Sequence, residues 1–254
     1  IYADEGTIAH LMAEGLISKD APVAGAAYDK AKEFYAKHPE LNGSADEMKE
    51  YLEPYVDFVF ETFHEELHKD EAAELMTEQR VDFTDYVPDG FGTSDVVIVR
   101  NGHLHIIDLK YGKGVQVEAE HNPQLRLYAL GALDRFDMVY DIETVTMTIY
   151  QPRLDHVSSD TLSAGFLKKW GEYEVKPKAE EAMYSKKPSM AAGDHCKFCP
   201  ARYDCKVRAE HYTALKAYKE KLILTPEDIA EVLKQVDGLV SFADDIKSSA
   251  LSKA

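Results

Sequence analysis

Apolar side chains in the first part of the chain recur at steps of three and four residues, which is typical of a helix with one buried face. Residues 5–16 show this spacing and predict a first helix. A second helix is predicted from Ser44 onward, because Ser44 and Glu47 have the S-x-x-E spacing of a capping box and the helical period continues to Phe63. The N-terminal part of the chain is therefore predicted to be largely helical.

The period then changes from that of a helix to that of a strand. Residues 78–83 alternate polar and apolar side chains, and residues 94–100 are rich in Val and Ile. Asn101-Gly102 is a two-residue hairpin sequence, so residues 103–110 are predicted to return antiparallel to the preceding strand. Together these segments predict a meander of strands.

Helical and strand patterns continue in the second half of the chain. A helix is predicted over residues 124–133, with Asn122 as its cap and Pro123 as its first residue. Residues 144–150 alternate as a further strand, and residues 166–170 return to helical spacing.

The order of these elements predicts an α/β (α+β) fold in which helices flank a mixed central sheet, with helical additions at both ends. We expect a core at residues 1–152 with a helical insertion at about 20–72. A helical C-terminal lobe at 153–254 is expected to pack on the core as one structural unit. In this lobe a last helix is predicted to begin at Thr225 and to be interrupted at Gly238.

The net charge changes the range of functions that this fold can have. The 254 residues carry a net charge of −17, which excludes indiscriminate binding to nucleic acid, because phosphate binding relies on clustered Lys and Arg. Any contact with DNA must therefore be local. No stretch approaches the roughly 18 consecutive apolar residues of a membrane span, so we expect a soluble, cytoplasmic protein with no membrane partner.

The predicted hairpin brings together side chains that suit a metal-dependent hydrolase. Counting outward from the turn, Asp95 and Asp108 are predicted to lie opposite or nearly opposite each other, within reach of one shared cation. Lys110 lies on the same strand face as Asp108, so that its ammonium can meet a metal-bound water. Two carboxylates suit Mg²⁺ or Mn²⁺, which polarise a phosphate and lower the pKa of a bound water.

Sequences around these residues resemble the motifs of RecB-like nucleases in the PD-(D/E)XK superfamily. Residues 92–95 (GTSD), 108–110 (DLK) and 124–128 (QLRLY) are similar to the successive G-x-x-D, (D/E)-x-K and Q-x-x-x-Y motifs of that family. Residues 5–10 are similar to its opening G-T-x-x-H motif. The resemblance implies a restriction-endonuclease-like core, and the single-domain build resembles stand-alone phage or prophage nucleases.

The resemblance also implies roles for individual residues. It implies a Mg²⁺ or Mn²⁺ site whose ligands are an imidazole, two carboxylates and a main-chain carbonyl, from His10, Asp95, Asp108 and Leu109. Lys110 would orient or activate the attacking water, and Gln124 and Tyr128 would face the site from one side of a helix. Asp108 stands where many relatives have Glu.

Other interpretations of nearby residues stay open. From its helix position alone, His10 is a packing residue, whereas the motif makes it a ligand that Glu14 could orient. The position of Glu78 on the preceding strand suggests an additional outer acid of the site, but an exposed strand residue is the favoured interpretation.

The cysteines predict a second metal site. Cys196, Cys199 and Cys205 have the spacing of metal ligands rather than of disulfides. In the iron-sulfur branch of RecB-like nucleases, cysteines so placed join a fourth, upstream cysteine around a [4Fe-4S] cluster. We expect such a cluster in the full-length protein. This chain has no fourth cysteine, so the cluster can be absent from it. The alternative is Zn²⁺ with His195 or His211 as the fourth ligand.

We therefore expect a metal-dependent deoxyribonuclease that acts as a DNA exonuclease or end-processing nuclease. The resemblance implies single- or double-stranded DNA ends as substrate and recombination or helicase proteins as partners. An endonuclease on the same scaffold is the first alternative. A catalytically silent module for nucleic-acid binding or complex assembly is the second.

Overall fold

A five-stranded sheet is the centre of the larger of two units into which the chain divides, Ile1–Tyr184 and Ser185–Ala254. The computed structural model describes residues 1–213 and 225–253. Over this part of the chain, no helix has the length and apolar character needed to cross a membrane.

Three helices precede the sheet: α1 (Tyr2–Ile17), α2 (Ala21–Lys37) and α3 (Ala45–Lys69). The predicted cap of α3 is confirmed, because the Ser44 hydroxyl accepts a hydrogen bond from the Glu47 N–H at 3.0 Å. These helices occupy the predicted insertion and the segment before it.

The strands are β1 (Glu74–Asp82), β2 (Phe91–Arg100), β3 (His103–Leu109), β4 (Thr144–Gln151) and β5 (His156–Ser163). They lie in sequence order across the sheet. β3 and β4 are parallel, whereas the other neighbours are antiparallel, so the sheet is mixed as predicted. Helix α4 (Pro123–Tyr140) makes the crossover that a parallel pair requires, and the Asn122 carboxamide caps it at the Gln124 and Leu125 N–H groups.

Both faces of the central strands are buried, because successive strand residues point to opposite sides. Leu104 and Ile106 belong to the apolar cluster that includes α4. Ile107 and Leu109 belong to a second cluster, which the buried residues of α1, α2 and α3 share. This explains the apolar run Val96–Val99 in β2 and the adjacent Ile106 and Ile107 in β3.

The first unit extends to Tyr184 rather than ending at residue 152. The reason is β5, which pairs along its whole length with β4 and which we did not predict. Its outward side chains are mostly Ser and Thr at an exposed sheet edge, so the strand has a weak hydrophobic pattern. α5 (Ala164–Trp170), a π-helical turn (Gly171–Val175) and α6 (Lys176–Tyr184) complete the unit.

The second unit contains α7 (Lys206–Thr213) and α8 (Pro226–Lys253). The predicted interruption at Gly238 is wrong, because α8 continues through it. A Cβ at Gly238 would lie 2.4 Å from the Tyr212 hydroxyl, so the glycine serves close packing. The buried Arg208 guanidinium joins the two helices by an ion pair of 2.6 Å with Asp245.

A buried carboxylate, Glu66, fastens the end of α3 to the β2–β3 hairpin. It contacts Lys69 at 2.8 Å, His103 at 3.2 Å and the Arg100 guanidinium. Burial alone would raise the pKa of Glu66, but hydrogen bonds from Lys69 and Arg100 and the charge of His103 outweigh it and lower the pKa to about 2.

We predict that Glu66→Gln lowers the free energy of unfolding by about 3 kcal/mol at pH 7, because it removes one partner of a buried ionic cluster. The folded pKa of about 2 lies below the ordinary 4.5, so this stabilisation is complete above pH 4.5 and is lost as the pH falls through 2. Urea unfolding of wild type and variant at pH 7 and at pH 3 measures the difference. The exposed Glu65→Gln is the matched control, and equal losses in both variants would contradict the prediction.

Candidate metal centre

Three acidic residues lie in a row across β1, β2 and β3. The backbone pairing on either side of Asp95 places Glu78 of β1 and Asp108 of β3 opposite it. Directly opposite residues of antiparallel strands have their Cβ atoms about 4.5–5.5 Å apart. The strand register therefore forces these carboxylates together at the end of the hairpin away from its turn.

Asp95 is held by two neighbours. His10 of α1 lies with its Nδ1 3.0 Å from Asp95 Oδ1. The Leu109 N–H donates to Asp95 Oδ2 at 2.7 Å, just beyond the point where regular β2–β3 pairing stops. The predicted neighbourhood of His10, Asp95 and Leu109 is thus present. The observed contact of Leu109 is made by its N–H, whereas we predicted a role for its carbonyl oxygen.

Asp108 belongs to a chain of polar side chains that leads to α4. Lys110 Nζ lies 2.8 Å from Asp108 Oδ2 and donates to Gln124 Oε1 at 3.0 Å. The Gln124 amide nitrogen donates to the Tyr128 hydroxyl at 3.0 Å and lies 3.4 Å from Asp108 Oδ1. Asp108, Lys110 and Gln124 therefore contact one another, and Tyr128 joins them through Gln124.

Glu78 also lies in this group of side chains, although the sequence favours its interpretation as an exposed strand residue. Its backbone has a φ of 49°, a left-handed conformation inside a strand that costs a non-glycine residue about 1–3 kcal/mol. Ligand atoms of His10, Glu78 and Asp95 all lie within 4.8 Å of one another. Glu78 is partly buried rather than fully exposed. The structure thus supplies a third acid that the sequence resemblance does not name.

The crowded carboxylates change their proton affinities. Burial and the charge of Asp95 raise the pKa of Glu78 to about 7, and the same causes raise the pKa of Asp108 to about 6. Burial lowers the pKa of His10, but its hydrogen bond with Asp95 and the surrounding carboxylates outweigh this and raise it. A divalent cation would relieve this excess negative charge, and oxygen atoms with one imidazole suit Mn²⁺ or Mg²⁺. The donors present therefore fit such an ion.

Tyr55 of α3 is a further residue that the sequence patterns did not reveal. It is 1% exposed, and its hydroxyl has no hydrogen-bond partner among the residues that the structure describes. Burial and the charges of Asp95, Asp108 and Glu78 raise the pKa of Tyr55 well above its usual range. A helical aromatic at an apolar position looks like ordinary core, so no pattern distinguishes it.

Gly92, the glycine of the G-x-x-D motif, has a packing reason. A Cβ at this position would lie 2.3 Å from a ring carbon of Tyr128. The missing side chain therefore lets the Tyr128 ring lie directly on β2, where its hydroxyl meets Gln124.

The cysteines lie in the second unit and form no disulfide. The Gly193 N–H donates to Cys196 Sγ at 3.4 Å, and the Arg208 N–H donates to Cys205 Sγ at 3.5 Å. Among the described residues, His10, Glu78 and Asp95 bring metal-donor atoms together, whereas the three sulfurs do not form such a group. The [4Fe-4S] cluster and its zinc alternative stay predictions.

Comparisons with known proteins show a family and include a distant structural likeness. The family model described as "Protein of unknown function (DUF2800)" matches residues 1–254, so the chain belongs to that family. A solved structure titled "Crystal structure of SSO0001" is similar over 70% of this chain and 80% of that chain, with 15% sequence identity and a TM-score of 0.28. At that TM-score, nothing about this chain is inferred from the likeness.

The contact between Gly92 and Tyr128 generates a prediction about stability. Gly92→Ala should lower the free energy of unfolding by about 1–3 kcal/mol, because the added methyl group overlaps the Tyr128 ring. Tyr128→Phe keeps the ring, so Gly92→Ala should cost as much stability in that background as in wild type. Tyr128→Ala removes the ring, so Gly92→Ala should be nearly neutral in that background. Chemical unfolding of the single and double variants measures the coupling. Additive losses in Gly92→Ala/Tyr128→Ala would contradict the prediction.

Proposed function

We propose that this member of the DUF2800 family is a metal-dependent deoxyribonuclease of the PD-(D/E)XK type that processes DNA ends. The observation that carries the proposal is the arrangement of Asp95, Asp108 and Lys110 at one end of the hairpin, with Gln124 bonded to the lysine. These contacts support the proposal because they join residues from three of the sequence motifs that resemble those of the nuclease family.

Each of these residues would have a distinct task. When bound, Mg²⁺ or Mn²⁺ supplies a Lewis acid for the phosphate and lowers the pKa of a bound water. Asp95, His10 and Glu78 would hold the ion together with Asp108. The Lys110 ammonium, already held beside Asp108 by Gln124, would orient the attacking water and stabilise charge on the phosphate.

The orientation of Lys110 also bears on the alternative of a silent binding module. A lysine held by Gln124 has lost rotamer freedom, which a role in nonspecific binding does not require.

Exonuclease and endonuclease activity differ on closed circular DNA, which a strict exonuclease leaves intact. We favour the exonuclease because the strong negative charge disfavours long contacts with a duplex.

We predict that Lys110→Ala and Asp108→Ala each lower the cleavage rate by at least about 100-fold while the protein stays folded. End-labelled single- and double-stranded DNA and closed circular DNA, each with Mn²⁺, are the substrates. Circular dichroism and thermal unfolding check the fold. Lys169→Ala on α5 and Asp57→Ala on α3 are matched controls at exposed positions and should cleave like wild type. Wild-type rates in both site variants would remove the proposal.

The raised pKa values predict how Mn²⁺ binding depends on pH. Glu78, with a pKa of about 7, and Asp108, with a pKa of about 6, carry protons below those values, and a cation must displace them. Mn²⁺ affinity should therefore rise from pH 5.5 to pH 8, with proton release that calorimetry in two buffers of different ionisation enthalpy detects. Glu78→Gln and His10→Ala should both weaken binding, whereas Glu74→Gln on the same strand should not. A pH-independent affinity that these substitutions leave unchanged would show that the ion binds elsewhere.

A further inference from the structure

A cleft of about 280 Å³ lies beside the candidate metal centre. Its walls include His10 and Lys110 from the site itself, and Gly112, Gly114 and Gln151 from the segment that follows β3 and from the end of β4. The cleft therefore adjoins the residues to which the cleavage chemistry is assigned, on the side toward residues 111–117.

Gln151 holds this wall of the cleft in place. It is 1% exposed, and its side-chain oxygen accepts a hydrogen bond from the Val117 N–H at 2.6 Å. Its side-chain nitrogen donates to the Val115 carbonyl at 3.0 Å. A buried carboxamide thus replaces the backbone partner that this segment lacks, and the segment has a fixed position without being part of the sheet.

Among the described residues, neither a contact nor the backbone conformation explains why two positions of this segment are glycine. Neither Gly112 nor Gly114 has a positive φ, and a Cβ built at either position would meet no atom within 4 Å. Backbone strain and internal packing therefore do not require glycine here, in contrast to Gly92. The space in front of them is open for a ligand that approaches the main chain closely.

Lys113 lies between these glycines and is exposed. In the described part of the chain it has no ion-pair partner, although the protein carries a net charge of −17. This ammonium, flanked by two glycines whose missing side chains leave open space, is a suitable environment for a phosphate.

We propose that residues 112–114 bind a phosphate of the DNA strand, next to the phosphate that is cleaved. This inference rests on the proposed nuclease function. Phosphate oxygens accept hydrogen bonds from the main-chain N–H groups and from the Lys113 ammonium, and the absent side chains let the strand lie against the loop. The contact is local, as the negative charge of the protein requires, and it sets which bond enters the metal centre.

The test uses Gly112→Ala, Gly114→Ala and Lys113→Ala in the full chain. Gly165→Ala is the matched glycine control, because a Cβ there also meets open space, and Lys169→Ala is the matched lysine control. Binding is measured by fluorescence anisotropy with a labelled single-stranded DNA of about 12 nucleotides. An Asp108→Asn background with Mg²⁺ prevents cleavage during these measurements. Steady-state cleavage is measured in the wild-type background, and Mn²⁺ affinity by calorimetry without DNA.

We expect the three loop variants to weaken DNA binding several-fold and to raise KM with kcat unchanged, while the melting temperature and Mn²⁺ affinity stay at wild-type values. Lys113→Ala should also reduce the slope of log affinity against log salt by about 0.7. A parallel loss of Mn²⁺ affinity would overturn the phosphate contact, because the loop would then act through the metal centre. If wild type cleaves and the loop variants match their controls, this inference fails alone. If wild type neither binds nor cleaves DNA, the proposed function fails with it.

Discussion

Burial of three neighbouring carboxylates at one end of a hairpin determines the rest of the site. Strand register places Glu78, Asp95 and Asp108 side by side, where burial and the charge of Asp95 raise the cost of ionising the other two. The fold offsets part of this repulsion with the His10 imidazole on Asp95 and with the Lys110 ammonium on Asp108. Burial and the remaining negative charge raise the pKa values of Glu78 and Asp108, and this is the charge that the proposed cation would neutralise.

The two faces of the sheet contribute different parts of this compensation. α1 belongs to the helical layer on one face and brings His10 to Asp95. α4 covers the opposite face and brings Gln124 to Lys110. The side chains meet where β2 and β3 stop pairing and Asp95 takes the Leu109 N–H that a strand partner would otherwise occupy. The site thus lies at the end of the hairpin, between the helices on the two faces of the sheet.

Sequence reasoning succeeded where short-range rules fix the geometry. A two-residue turn determines the β2–β3 register, so the approach of Asp95 to Asp108 could be predicted by counting. β1 and β2 are joined by a longer loop that fixes no register, and the left-handed backbone of Glu78 has no sequence signature, so this acid was not favoured. β5 escaped prediction because its pairing with β4, not its mostly polar sequence, defines it. The hydroxyl of Tyr55 was hidden by an ordinary helical core pattern.

The proposed metal centre holds one divalent cation among His10, Glu78 and Asp95, beside Asp108. Crystals soaked in MnCl₂ and measured near the manganese absorption edge test this most directly, because anomalous scattering locates the ion without assuming any activity. We expect one anomalous peak at about 2.0–2.3 Å from the His10 imidazole and from the carboxylates. Crystals of Asp95→Ala should lack this peak. A map with no peak there, or with manganese bound only elsewhere on the protein, would contradict it.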